Sequence, residues 1–137
     1  MRICGIDLKA SNTIFSVLDI NEDDDIVVYI DMKIKKIELV NDEKQSDVDL
    51  YYESISSFLL ENKIEKVFIK KRAKKGNFAG GAVTFKMEAM IQLNEICDVC
   101  FTTSQSIGAY TKKNNVEFPN ELNKYQEQAY LAALVAV

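Results

Sequence analysis

The stretch from Val67 to Glu88 constrains the fold most, because it passes from an apolar run through a basic glycine-rich turn into a helical pattern. Val67-Phe68-Ile69 suits a short strand covered on both faces. Lys70, Lys71, Arg72, Lys74 and Lys75 follow, then Gly76, Gly80 and Gly81. From about Val83 to Ile96, Val83, Met87, Met90 and Ile91 recur at helical spacing. A strand that feeds a helix through a tight turn is the unit of α/β proteins, so a sheet with helical crossovers is expected.

The same stretch suits an anion. Free amides of a glycine-rich turn, at the positive end of the following helix, can hold a phosphate or carboxylate, and clustered cations raise its local concentration. The formal charge is −4, yet the ten residues from Lys66 to Lys75 carry six Lys or Arg and no acid, leaving −10 for the rest. An acidic chain with one basic loop is unsuited to coating nucleic acid nonspecifically, but it can offer a local phosphate site.

A chain of 137 residues, 47% hydrophobic, is long enough for one domain with a sizeable core, expected to span residues 1–137. It has no run of 18 apolar residues and no signal-like N-terminus, which predicts a cytoplasmic protein with no membrane partner. Histidine is absent, so histidine-dependent acid–base catalysis is excluded. Cys97-Asp98-Val99-Cys100 has CxxC spacing but sits where a helix runs into a strand, not at the helix N-terminus that a reactive thiolate needs. Buried structural thiols are expected.

Ile3, Ile6 and Leu8 around Cys4 and Gly5 read as a central strand. Lys9 to Asn12 is a turn, and Thr13 to Asp19 and Ile26 to Lys35 read as two further strands. The acidic run Asn21 to Asp25 between them lacks the glycine and distant glutamate of a calcium loop and reads as a hairpin turn. Val48, Tyr51, Tyr52, Ile55, Phe58 and Leu59 draw one helical stripe, with Ser46 placed to cap it. Val99 to Phe101 reads as a fifth strand. A last long helix is expected after Pro119, with Leu122, Tyr125, Ala129, Ala132, Ala133 and Ala136 on one side.

The run from Lys70 to Leu93, with the opening Ile3 to Leu8 and the closing Lys124 to Tyr130, resembles domain-of-unknown-function family 3010, a bacterial family similar to the RNase H-like proteins. The resemblance implies an α/β, RNase H-like fold: a five-stranded mixed sheet, antiparallel meander then parallel strands, with helices on both faces. The element order agrees. Gly5-Ile6-Asp7-Leu8 also resembles the first-strand motif of RuvC-type resolvases and of the sugar-kinase, heat-shock and actin ATPases, in which the matching aspartate lies close to Mg²⁺. The ATPase arrangement needs two such domains around a nucleotide.

A two-metal nuclease needs three or four convergent carboxylates. The resemblance implies an acid at the end of the fourth strand, where this chain has Lys70, Lys71 and Arg72, and one or two on the last helix, where Glu127 or Glu121 stands and Gln128 fills the best-matching register. Glu88 is a further substitute. Asp7, Glu88 and Glu127 are thus the catalytic candidates of a divergent Mg²⁺-dependent nuclease, with Asp7 its metal candidate. The competing expectation is a non-catalytic module without a cofactor, in which Lys70 and Arg72 approach Asp7 and Lys70, Lys71, Arg72, Lys74, Lys75, Gly76, Gly80 and Gly81 bind the phosphate of nucleic acid or a nucleotide. A homo-oligomer is compatible with either. A third reading keeps the lysines as solvated residues that protect a strand from edge pairing. Phe78 and Phe85 are the aromatics near the loop, which gives base stacking little support.

Overall fold

The computed structural model describes residues 1–76 and 80–137. Its sheet has six strands: β1 (Arg2–Lys9), β2 (Asn12–Ile20), β3 (Val27–Ile30), β4 (Lys36–Glu38), β5 (Lys66–Lys70) and β6 (Asp98–Thr102). The order is β3-β2-β1-β5-β6, and β4 pairs with β2 beyond β3. The β1/β2, β2/β3 and β2/β4 pairs are antiparallel, whereas β1/β5 and β5/β6 are parallel. This is the expected meander continued by parallel strands.

The expected third strand is divided. Val17 pairs with Ile30 and Ile14 with Lys36, so residues 31–35 stand opposite only Phe15 and Ser16 and must bulge outward. Lys35 closes the bulge: its ammonium donates to the Met32 carbonyl and lies 3.2 Å from the Asp31 carboxylate. The acidic turn before it is held by the Asn21 and Asp24 side chains, which accept from the Asp23 and Ile26 amides.

Helix α1 (Gln45–Glu61) and α2 (Ala82–Gln92) cover one face of the sheet, and α4 (Glu127–Leu134) covers the other. On the first face, Cys4, Ile6 and Leu8 pack with Tyr51, Ile55, Leu59, Met87 and Ile91, while Phe15 and Phe58 stack at 4.0 Å between ring centroids. The expected stripe of α1 is therefore the buried one. Ser46 does not cap it: Lys44 is the N-cap residue, without a side-chain bond.

On the second face α4 crosses β1 at Gly5, where a Cβ would lie 1.8 Å from the Ala129 carbonyl oxygen. The last helix is much shorter than expected. A 3-10 turn at Lys124–Gln126 precedes it, Asn123 and Gln126 form its capping box, and the buried Gln126 amide donates to the Phe15 carbonyl. Pro119 is outside the helix, Tyr125 faces solvent, and Ala136 lies past the end.

Helix α3 (Ser104–Lys113) was not expected. It buries only Ile107, so it leaves no apolar stripe to read.

Candidate functional site

Strand alternation divides β1 between the two faces. Gly5 meets α4, so Asp7, two residues on, belongs to the α4 face near the carboxyl end of this central strand. Its side chain is only 5% exposed. A buried carboxylate needs a partner, and Arg72 supplies one: Nη2 lies 2.7 Å from Asp7 Oδ1. Arg72 Nε donates to the Leu8 carbonyl at 3.1 Å, so one guanidinium closes the end of β1 through both backbone and side chain. Two of its five N–H groups are used, which leaves three for another acceptor.

Lys70 is brought to the same place by register. Ile6 pairs with Ile69, so Lys70 is the next step of the parallel β1/β5 ladder beside Asp7, and it pairs with Thr102 on β6. Burial lowers the Lys70 pKa, and the Asp7 carboxylate partly restores it. Because β5 lies between β1 and β6, the flanking lysines do not guard an edge, contrary to the third reading above.

Arg72 stands between two clefts. One, of about 440 Å³, is lined by Leu8 to Ser11, Arg72, and Gly80 to Thr84 at the start of α2. The other, of about 810 Å³, is lined by Lys70, Lys71, Arg72 and Ala73 with Thr103, Ser104 and Gln105 at the start of α3. This second cleft thus joins three cations to the first turn of α3, where the Ser104 and Gln105 amides have no intrahelical partner. Thr103 caps that helix by accepting from the Ser106 amide at 3.1 Å. Thr103, Ser104 and Gln105 were missed from the sequence. Their only signal is the Thr103-to-Ser106 spacing, which reads as a cap only once a helix is assumed.

The basic glycine-rich loop is thus not gathered into one site. Gly80 and Gly81 line the first cleft and Lys70 and Lys71 the second, while Lys74, Lys75 and Gly76 line neither. Gly80 is close-packed, its amide donating to the Ala73 carbonyl and the space for a Cβ bounded by Arg72 and Thr84. Gly76 has a left-handed φ of 93° and open space around it. Asn77, Phe78 and Ala79, including one expected loop aromatic, lie outside the described residues.

Glu88 stands near Lys71 and Lys74: burial raises its pKa, and those two ammonium groups oppose the rise. Glu127 opens α4 and Glu121 is exposed in the segment before it. Among the described residues no three Asp, Glu, Cys or His side chains group in a way that could hold a metal ion. The donor set around Asp7, one carboxylate with Arg72 bonded to it and Lys70 beside it, does not fit a pair of divalent ions.

The three cysteines are free thiols. Burial pushes the Cys97 thiol up to about 11, away from thiolate chemistry. Below pH 9, Cys97 should react with iodoacetamide about tenfold more slowly than an ordinary thiol, its smaller thiolate fraction outweighing the greater nucleophilicity of the thiolate, as read by mass spectrometry over time. Labelling at the ordinary rate near neutral pH would show that Cys97 opens to solvent.

A mixed sheet with an antiparallel meander, parallel strands and helices on both faces, carrying an aspartate at the carboxyl end of β1, is the RuvC-like form of the RNase H-like fold. Solved structures agree. Thermus thermophilus RuvC superposes with a TM-score of 0.73 at 9% identity, over 98% of this chain and 92% of that one. T. thermophilus RuvC in complex with Holliday junction substrate gives 0.69 at 11%, over 98% and 91%. The Fowlpox virus resolvase in complex with substrate Holliday junction DNA gives 0.58 at 16%, over 98% and 93%. No curated protein sequence matches the chain. Residues 1–136 match the family described as "Protein of unknown function (DUF3010)", and the chain belongs to that family. No helix among the described residues is long and apolar enough to cross a membrane.

Proposed function

We propose that this domain is a non-catalytic phosphate-binding module for nucleic acid, with its site in the cleft between Lys70, Lys71, Arg72 and the start of α3. The observation that carries this reading is the Asp7–Arg72 pair with Lys70 beside it. In place of divalent ions balancing phosphate charge, fixed side-chain cations stand at the strand ends. Arg72 spends two N–H groups on Asp7 and Leu8 and keeps its remaining donors for a phosphate oxygen. The amides opening α3 add donors without ordering any side chain. Nucleic acid is favoured over a free nucleotide because both clefts are open and share Arg72, which suits a backbone running past the arginine. The resolvases of similar fold, solved with Holliday junction DNA, support a nucleic-acid partner.

The acidic remainder of the chain keeps the footprint small, so affinity should depend on few phosphates and strongly on salt. With three phosphates neutralised by Lys70, Lys71 and Arg72, a fourfold rise in salt should lower affinity for labelled DNA about fortyfold. Lys71→Ala should weaken binding at low salt and reduce that dependence to about twelvefold. Fluorescence anisotropy with single-stranded, duplex and four-way-junction DNA and with RNA measures both. Absence of binding to every probe at low salt, or binding indifferent to Lys71→Ala and to Lys70→Ala, would overturn the proposal. Calorimetry with Mg²⁺ or Mn²⁺ should show no tight site. A two-site isotherm lost in Asp7→Asn would overturn this expectation and restore the metal-dependent nuclease as the alternative.

A further inference from the structure

We infer that Tyr125 is a stacking platform for an unpaired base, which makes a single-stranded segment the preferred nucleic-acid ligand; this rests on the phosphate-binding reading of the neighbouring cleft. Tyr125 sits in the short turn before α4, 41% exposed, far in sequence from the basic loop. The fold carries it to the β1–β2 hairpin. There it lines a cleft of about 290 Å³ with Lys9, Ala10, Asn12, Ile14 and Lys36. Lys9 and Ala10 also line the cleft that contains Arg72, so the two are adjacent along the rim of the sheet.

The chemistry of this cleft is an aromatic face among cations. Lys36 Nζ stands over the Tyr125 ring, 5.2 Å from its centroid, and Lys9 and Lys36 are in no salt bridge among the described residues. A base that stacks on the ring takes the place of the Lys36 ammonium, whose long exposed side chain can then meet a phosphate, and this pairing of an aromatic face with cations is how sequence-tolerant single-strand binders work. The volume lies at the small end of ligand pockets, suited to one base and too small for a base pair held in a stack. Bases inside a duplex have no free face to offer. From Tyr125 the cations Lys36, Lys9 and Arg72 then mark a path along the sheet rim toward Lys70 and Lys71.

A short labelled oligothymidylate and its duplex with oligoadenylate, titrated by anisotropy at low salt, test the inference. Tyr125→Ala should weaken single-strand binding roughly five- to a hundredfold and leave duplex binding unchanged, whereas Tyr125→Phe, which keeps the ring, should bind as the natural protein does. Lys71→Ala, in the phosphate cleft, should weaken both ligands. Reduced single-strand binding in Tyr125→Ala together with indifference to Lys71→Ala would keep the platform and sink the phosphate cleft. Loss with Lys71→Ala but none with Tyr125→Ala would do the reverse. Equal loss of both ligands in Tyr125→Ala, or no binding of either by the natural protein, would overturn the inference.

Discussion

Arg72→Ala should destabilise the domain by about 3 kcal/mol, read as a shift of the urea midpoint at unchanged slope. The cause is the carboxylate left behind. Asp7 has only 5% of its side chain exposed, and removal of the guanidinium strands a negative charge at the end of the central strand. Breaking such a pair from one side costs about 3 to 5 kcal/mol when both partners are buried, and the low end applies because Arg72 is 25% exposed. The Leu8 carbonyl loses its Nε donor in the same substitution. Combining Arg72→Ala with Asp7→Asn should recover a large part of the loss, since a neutral amide is far cheaper to bury than a carboxylate. A cost under about 1 kcal/mol for Arg72→Ala, or no recovery in the double variant, would mean the pair behaves as an ordinary surface ion pair.

Gly5→Ala should cost as much or more, about 3 kcal/mol, with a fall in melting temperature of roughly 10 °C. A methyl group at position 5 would fall 1.8 Å from the Ala129 carbonyl oxygen and 3.0 Å from the Ala133 Cβ. The first neighbour is helix backbone, so no rotamer change relieves the contact, and α4 must lift from β1. Lifting α4 also strains the Gln126 and Thr102 hydrogen bonds that hold it, which run to the Phe15 carbonyl and from Thr102 to the Ala132 carbonyl. Gly108→Ala is the internal control. Gly108 lies within α3, nothing within 4 Å meets its added methyl, and the change should stabilise by about 0.5 to 1 kcal/mol through helix propensity. Equal behaviour of the two alanine variants would show that α4 does not seat on Gly5.

The glycine beside Asp7 thus has a packing reason that is independent of any phosphate loop. It lets α4 approach β1. Asp7, two residues on along the same face, is buried, and that buried charge is what makes Arg72 necessary.

Local pattern was enough to read much of the framework. Continuous apolar runs at Ile3 to Leu8 and Val67 to Ile69 mark strands covered on both faces, and the stripe through Tyr51, Ile55, Phe58 and Leu59 marks the buried side of α1, because periodicity is set by backbone geometry within a few residues. The division of β3 from β4 could not be read, since a bulge depends on which partner residues stand opposite. The capping of the 3-10 turn before α4 at Asn123, rather than a helix start near Pro119, and α3 with its single buried side chain, gave too weak a local signal. By itself the sequence determined that a basic, glycine-rich turn follows an interior strand and that Asp7 ends another. Only the tertiary structure decided where those charges go: the parallel register of β1 with β5 sets Lys70 beside Asp7, Arg72 turns back onto the carboxylate, and the parallel pairing of β6 with β5 brings the start of α3, which follows β6 directly, to the cations. Tyr125, which periodicity assigns to the core, is turned outward because Gln126 takes the buried position next to it. Charges and polar caps act through space, with strengths set by burial and register, and neither is a property of a stretch of chain read alone.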